Sequence, residues 1–526
     1  MDIGAYELNQ AEAVQYLTQV GNGQTGNIIL STQIDVAGVP GAGEAAFTID
    51  FFDPVGGPWE LDLDGQIPAG ENLVSSVSAR LDPGATWSLR TSGTGGIQAG
   101  YARIRGGEGI GVTGIFTRQD VPTGTILYQA GVPASEWLTE ATLFVDSLGD
   151  LETGLAIVNV SDRQDFPAGL QSPIGTTGVP AGRPGEMLLK LFDQGFTLLG
   201  EEPLELEAGQ HLATFVSQFF PDVEQAAEMQ GVLTVGSLDP IALVTLRQND
   251  SSGVEFPGEV PTLAAFPVLE GKALESEGPE PQGAVPVQLV FAQIGNGQVG
   301  AIGVQTAINL ANVSAGQVPV QLDFFDSNGL PLVLTIDGLG TESTFNFVLG
   351  SVQSTVLGTT GQGAIQVGYA RVTSVEGLGG SAVFSRVDLP SGLLETESGV
   401  PASQPANSFS LFVDTTGNAE TGLALANPAP GPAGGPPTIL DLKLLDMAGQ
   451  EIGSRELELA TGQHTAQFVT QLFPEVEGID NMRGLLQVSS PVPIVAVTLL
   501  QNDDFSTPFP EEVGTLTAFP VLTEVP

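Results

Sequence analysis

Cysteine is absent from these 526 residues, so neither a disulfide framework nor a thiolate metal site is open to the chain. Its stability must come from packing, and the absence does not argue against export. Basic residues are also scarce: 15 Lys and Arg stand against 61 Asp and Glu, for a formal charge of −46. Charged residues make up only 14% of the chain, where an ordinary domain carries about 25%. Divided evenly, that norm gives about 65 acids at this length. The acid count is therefore ordinary, and the net charge comes from missing bases. A surface of this sign repels nucleic acid and anionic lipid, which all but excludes a nucleic-acid partner. No apolar run approaches the roughly 20 residues that a membrane-spanning helix needs. Met1 is followed directly by Asp2, without the basic and apolar regions of a signal peptide.

What is present is a text written twice. QYLTQVGNGQTGNI returns as LVFAQIGNGQVGAI, GYARI as GYARV, and LFVDSLGDLETGLA as LFVDTTGNAETGLA. GVPAS and AFPVL recur unchanged, AGQHLATFVSQFFP pairs with TGQHTAQFVTQLFP, and RQND pairs with LQND. The register between copies shrinks in steps, from Gly21/Gly295 through Tyr101/Tyr369 to His211/His464, so the copies differ by loop deletions. The longest extra stretch, SDRQDFPAGLQSPIGTTGVPAGRP in the first copy, is rich in Pro and Gly and reads as an exposed loop.

Each copy divides again. Phe47, Ile49 and Phe51 alternate with Thr48 and Asp50, and Val320, Leu322 and Phe324 with Gln321 and Asp323. Met187, Leu189 and Leu191, and later Leu440, Leu442 and Leu444, repeat the pattern. Period-two alternation means sheets with one dry and one wet face. The DPVGG, DSNG, DQG and DMAG stretches that follow are turns in which Gly supplies positive φ. Late strands GVLTV and GLLQV, then PIALVTL and PIVAVTLL, recur as well. The expected fold is all-β: four immunoglobulin-like β-sandwich modules in two tandem pairs, with one short helix in modules 2 and 4. The modules are placed at 14–131, 132–270, 286–401 and 402–526, after an N-terminal stub at 1–13 and around a linker at 271–285. The helix is read from Leu212, Phe215, Val216, Phe219 and Phe220 before Pro221, and from Phe468, Val469, Leu472 and Phe473 before Pro474. It is expected to pack into the core.

Two resemblances add to this reading. The string DIGAYE, Asp2 to Glu7, resembles the closing segment of right-handed parallel β-helix domains in bacterial surface proteins. That likeness implies an exported protein whose upstream part, leader included, precedes Met1. The body resembles tandem β-sandwich repeats of secreted bacterial proteins, in which an N/D-x-x-x-ETGLA strand, a Phe-Asp turn and an ELFP-like helix end recur. This second likeness implies the fold and export, and no activity.

Candidate sites are few. His211 and His464 have no acid–base partner or second ligand at a telling spacing, and each is read as a polar residue at the start of its helix. Asp62 and Asp64 in WELDLDG suit calcium as a residue type, but the second copy keeps only Asp337, so a strand is preferred. Asp146, Asp150 and Glu152, with Asp414 and Glu420 opposite, form an acidic group whose calcium binding stays open beside the simpler reading of a solvated hairpin. The GNGQ turns at 21–24 and 295–298 lack a following helix and a Lys, so they are read as loops between strands. Trp59, Trp87 and Trp137 could stack on sugars, but none recurs in the second copy. No catalytic, cofactor-binding or metal residue is assigned, and no cofactor is expected. The expected role is non-enzymatic: an extracellular or cell-surface stalk, surface or filament-forming subunit, built by strand addition from segments 1–13 or 270–285. Expected partners are copies of the chain or other surface proteins. A glycan-binding or adhesive array is the alternative.

Overall fold

The computed structural model describes residues 13–65, 73–106, 109–161, 185–223, 226, 228–249, 262–266, 268–270, 286–314, 316–375, 377–428, 435–502, 514–519 and 521–523. The DIGAYE string, the 162–184 part of the first-copy insert and the 271–285 linker lie outside the described residues. The fold is all-β: four immunoglobulin-like β-sandwich modules in two tandem pairs, with two short helices among the described residues. The first sheet system holds the strands from Ala13–Thr25 to Ile126–Pro133, and the second those from Leu138–Asp146 to Leu269–Glu270. The third runs from Pro286–Val299 to Leu394–Pro401, and the fourth from Ala406–Asp414 to Leu522–Thr523. All ladder pairings between named strands are antiparallel.

The alternating residues build the cores. Phe47, Ile49 and Phe51, Val320, Leu322 and Phe324, Met187, Leu189 and Leu191, and Leu440, Leu442 and Leu444 are all buried. The core of module 1 continues into Ala156, Val244, Leu263 and Ala265 of module 2. In the same way the core of module 3 runs into Ala424, Ala426, Val495, Val497 and Ala518 of module 4.

Sheets are closed by strands that change layers. Residues 13–22 of Ala13–Thr25 pair with Gln98–Gly106, and residues 23–25 pair with Ile28–Gly38. The GNGQ string, expected to be a loop, is therefore the corner inside a strand. Gly23 has φ 120°, and a Cβ there would overlap the Gly96 carbonyl; Gly297 repeats this at φ 113° against Ala364. Only glycine accepts both the conformation and the backbone crossing. The late strands also merge: GVLTV and PIALVTL lie in one strand, Gln230–Asn249, of 20 residues. Its first part pairs with Leu138–Asp146 and Glu186–Asp193, and its second with Leu151–Asn159 and Thr262–Phe266. Arg483–Asn502 repeats the design in module 4.

The helices are shorter than the periodicity implies. Val216–Phe219 and Val469–Leu472 are single turns, and Leu212 and Phe215 belong to the preceding strand His211–Phe215. That strand pairs with Leu151–Asn159, and its ladder bonds outweigh the weak drive to nucleate a longer helix. Val216, Phe219 and Phe220 are buried, as expected of core packing. Three of the Asp-Gly turns follow expectation, with positive φ at Gly56, Gly329 and Gly449. In DQG the positive φ falls instead on Phe196, at 66°.

Replacing Gly23 by Ala should cost about 2 kcal/mol or more, because a left-handed φ and a backbone overlap act together. Gly26→Ala, also at positive φ but with open space around it, should cost less. Urea unfolding followed by tryptophan fluorescence checks the difference, since Trp59 and Trp87 report on the same module.

Candidate functional site

The most distinctive duplicated residues converge on the joints between modules. In the first copy, the Asn159 carbonyl accepts the Gly209 N–H at 2.7 Å and its side-chain amide donates to the Leu206 carbonyl at 2.8 Å, shaping the turn before His211. The His211 backbone N–H then donates to the Pro54 carbonyl of module 1 at 3.0 Å, and Nε2 lies 2.9 Å from the Thr18 carbonyl. A carbonyl only accepts, so the ring carries its proton on Nε2 and is otherwise neutral. Tyr101 lies 6.2 Å from the imidazole and stacks on Phe52 at 4.9 Å. Gly56 rests directly on the Gly209 backbone.

The second copy builds the same joint between modules 3 and 4. His464 N–H donates to the Ser327 carbonyl at 3.2 Å, Nε2 meets Gln293 Oε1 at 3.0 Å, and Gly329 rests on Gly462. Tyr369 stacks on Phe325 at 4.9 Å. GVPAS belongs to these joints as well, because Ser135 exchanges backbone bonds with Tyr16, and Ser403 donates to Val290. The histidines therefore do not start helices. Each opens a strand and reaches into the neighbouring module. Burial pushes both imidazoles down to about 4.

The two copies also hold each other. One strand from each module comes to a common centre: Ile126–Pro133, Thr262–Phe266, Leu394–Pro401 and Thr515–Phe519. Thr515 Oγ1 donates to Gln129 Oε1 at 3.1 Å, Thr517 Oγ1 to the Gln129 carbonyl at 3.0 Å, and Leu516 N–H to Thr396 Oγ1 at 3.0 Å. On one flank Arg247 of the first copy binds Asp146 Oδ2 at 2.6 Å and Glu397 Oε2 of the second copy. Thr262 Oγ1 adds a bond to Glu397 Oε1 at 3.1 Å. All three charged groups are buried. On the other flank Leu500 and Gln129 stand in the places of Arg247 and Glu397. There Asp414 pairs with Arg483 at 2.8 Å instead.

Two further contacts complete a ring of modules. Ala37 of module 1 packs with Leu445 and Leu485 of module 4, and Thr86 N–H donates to the Met447 carbonyl at 3.1 Å. Asp35 is buried in this seam beside Gln33 and Ser88, and burial pushes its carboxyl up. Phe144, Phe192 and Val232 of module 2 pack with Ala311 and Val352 of module 3. Among the described residues the non-glycine positive-φ positions are Phe196 and Val352. They stand in module 2 and module 3 where Gly449 and Gly84 meet at the opposite seam.

The acidic group read from sequence is thus divided. Asp146 turns inward to Arg247, whereas Asp150 and Glu152 are exposed. Asp414 meets Arg483, and Glu420 accepts from Thr470 Oγ1 at 3.1 Å. A solvated hairpin does not describe Asp146. Asp62 and Asp64 lie on the strand Leu61–Gly65, pointing away from buried Leu61 and Leu63, and the Asp337 N–H donates to Gly358. Among the described residues no three His, Asp or Glu side chains come together to hold a metal ion. Trp59 and Trp87 are buried in module 1, and Trp137 is 38% exposed. Arg247 and Glu397 escaped the sequence reading. The trace of Arg247 was the single difference between RQND and LQND in a chain poor in bases, and that of Glu397 its replacement by Gln129 ahead of GVPAS.

Two outcomes follow for these joints. Each histidine is near 6.5 when unfolded and about 4 when folded, so its neutral form is the one the fold favours. Its contribution is full above pH 6.5 and is lost as pH falls through the window down to 4, by about 3 kcal/mol for each group. Denaturant melts from pH 7.5 to 4.5 should show this slope, and His211→Gln with His464→Gln should flatten it. Arg247→Leu should cost about 3–5 kcal/mol, because it strands two buried carboxylates. Adding Glu397→Gln and Gln230→Arg copies the opposite flank and should recover most of the loss in the same melts. No family model matches this sequence and no curated protein matches it significantly, so function is read from the joints and edges alone.

Proposed function

We propose that this chain is a non-enzymatic structural protein of the bacterial cell exterior, a surface or filament-forming subunit that assembles with copies of itself or other surface proteins. The observation that carries the reading is where the duplicated residues go. His211 and His464, Tyr101 and Tyr369, and Gly56 and Gly329 all serve the joints between modules. A duplication that retains its joints favours a rigid body over a reaction centre. Each module touches two others, which supports a compact subunit more than an extended stalk. Of the two segments considered as strand donors, only Ala13 and Glu270 lie within the described residues. The glycan-binding alternative draws on the three tryptophans, and two of these are core residues.

Negative-stain electron microscopy and sedimentation across protein concentration test the proposal. Ordered assemblies of a four-lobed particle are expected as concentration rises. A monodisperse monomer at every concentration, pH and salt level would overturn it.

A further inference from the structure

Each module presents one outer edge strand at an equivalent place, and the four edges are not alike. They are Ser76–Leu81, Leu198–Glu205, Thr344–Leu349 and Glu451–Ala460, each laddered to a single neighbour among the described strands. An unpaired edge is a template for another strand unless charge, proline or a bulge blocks it. Leu198–Glu205 carries Glu201, Glu202, Pro203 and Glu205. Glu451–Ala460 carries Glu451, Arg455, Glu456 and Glu458. Ser76–Leu81 carries Arg80, tied to Glu44 at 2.6 Å. Thr344–Leu349, sequence TFNFVL, carries no charge, and Val348 takes the place of Arg80 at 57% exposure.

Module 3 is altered in the same sense elsewhere. Val333 stands where module 1 has Glu60, and Gln317 where it has Glu44. Among the described residues, more of the exposed large apolar side chains belong to module 3 than to any other module. A formal charge of −46 sets two copies against each other over most of their surface. Close approach is least opposed where the edge carries no charge of either sign, and among the four edges that is Thr344–Leu349.

We propose that Thr344–Leu349 is the self-association edge of this protein, pairing antiparallel with the same strand of a second copy. The inference rests on the assembly reading and names its first contact. A two-fold axis perpendicular to the sheet keeps each face on its own side, so paired residues must share parity. In the register centred on the strand's exposed residues, Asn346 faces Asn346 of the second copy, and Thr344 faces Val348. Phe345 and Leu349 already point into the core. The second strand therefore joins two sheets without turning either inside out, and covers Val348.

The chain has no cysteine of its own, which makes the test direct. Asn346→Cys places one thiol at the axis, where facing Cα atoms of an antiparallel pair lie within disulfide range. Ser78→Cys, at the equivalent place in module 1, is the control. Under mild oxidation of the full chain, Asn346→Cys should give a disulfide-linked dimer and Ser78→Cys should not. Sedimentation of the cysteine-free chain should show a dimer that Val348→Lys weakens at least about tenfold, because the substitution installs an edge charge. Equal cross-linking of both cysteine variants, or a dimer indifferent to Val348→Lys, would overturn the inference. Assemblies that survive Val348→Lys in the microscope would sink this edge and leave the assembly reading standing. A dimer through this edge with nothing larger would leave the edge standing and remove the filament-forming form of the assembly reading.

Discussion

The Arg247 guanidinium holds carboxylates from both halves of the chain where water has little access, and the relation between the halves turns on that contact. Desolvating three charges is expensive, and the attraction among them returns little more than the cost. The contribution of such a group lies in discrimination. A half-turn of one copy against the other would set Arg247 against Leu500 and Glu397 against Gln129, and leave a buried carboxylate without its cation. The pseudo-symmetric docking of two similar copies is thereby given a single sense. The joints within each copy and the central strands are neutral: backbone on glycine, imidazole on carbonyl or amide, threonine hydroxyl on amide.

Much of the fold was legible because sandwich strands report their burial every second residue. Phe47, Ile49 and Phe51 needed no tertiary knowledge to be placed inward. The errors have a common origin. A spacing such as Leu212, Phe215, Val216, Phe219 fits a helix, but it also fits a strand that turns into one helical turn. Which of these forms depends on a ladder with Leu151–Asn159, far away in sequence. The GNGQ corner was misplaced because glycine marks a loop and a backbone crossing alike. The histidines and Arg247 were unreadable for a stricter reason. Their partners, Thr18, Gln293 and Glu397, lie in other modules, and no local pattern encodes a contact between modules.

Comparison of the copies separates two kinds of constraint. Residues kept in both serve joints within a copy, where the same geometry is needed twice. Residues that differ serve the seams between copies, where the two flanks solve one packing problem in different ways. One flank has Gly84 against Gly449 with a polar seam of Asp35, Gln33 and Arg483. The other has Val352 and Phe196 in left-handed backbone, a costly conformation for a β-branched side chain, offset by apolar contact. Duplication supplied the symmetry, and the seams departed from it.

The strands Gln230–Asn249 and Arg483–Asn502 each thread both layers of their module. In an ordinary sandwich the two sheets meet only through side chains and can slide or part under load. Here a single continuous backbone is laddered in each layer, so separating the layers along the strand direction means shearing many hydrogen bonds at once. Modules 2 and 4 are thus built as mechanical clamps, in which tension along the threaded strand is shared by both sheets.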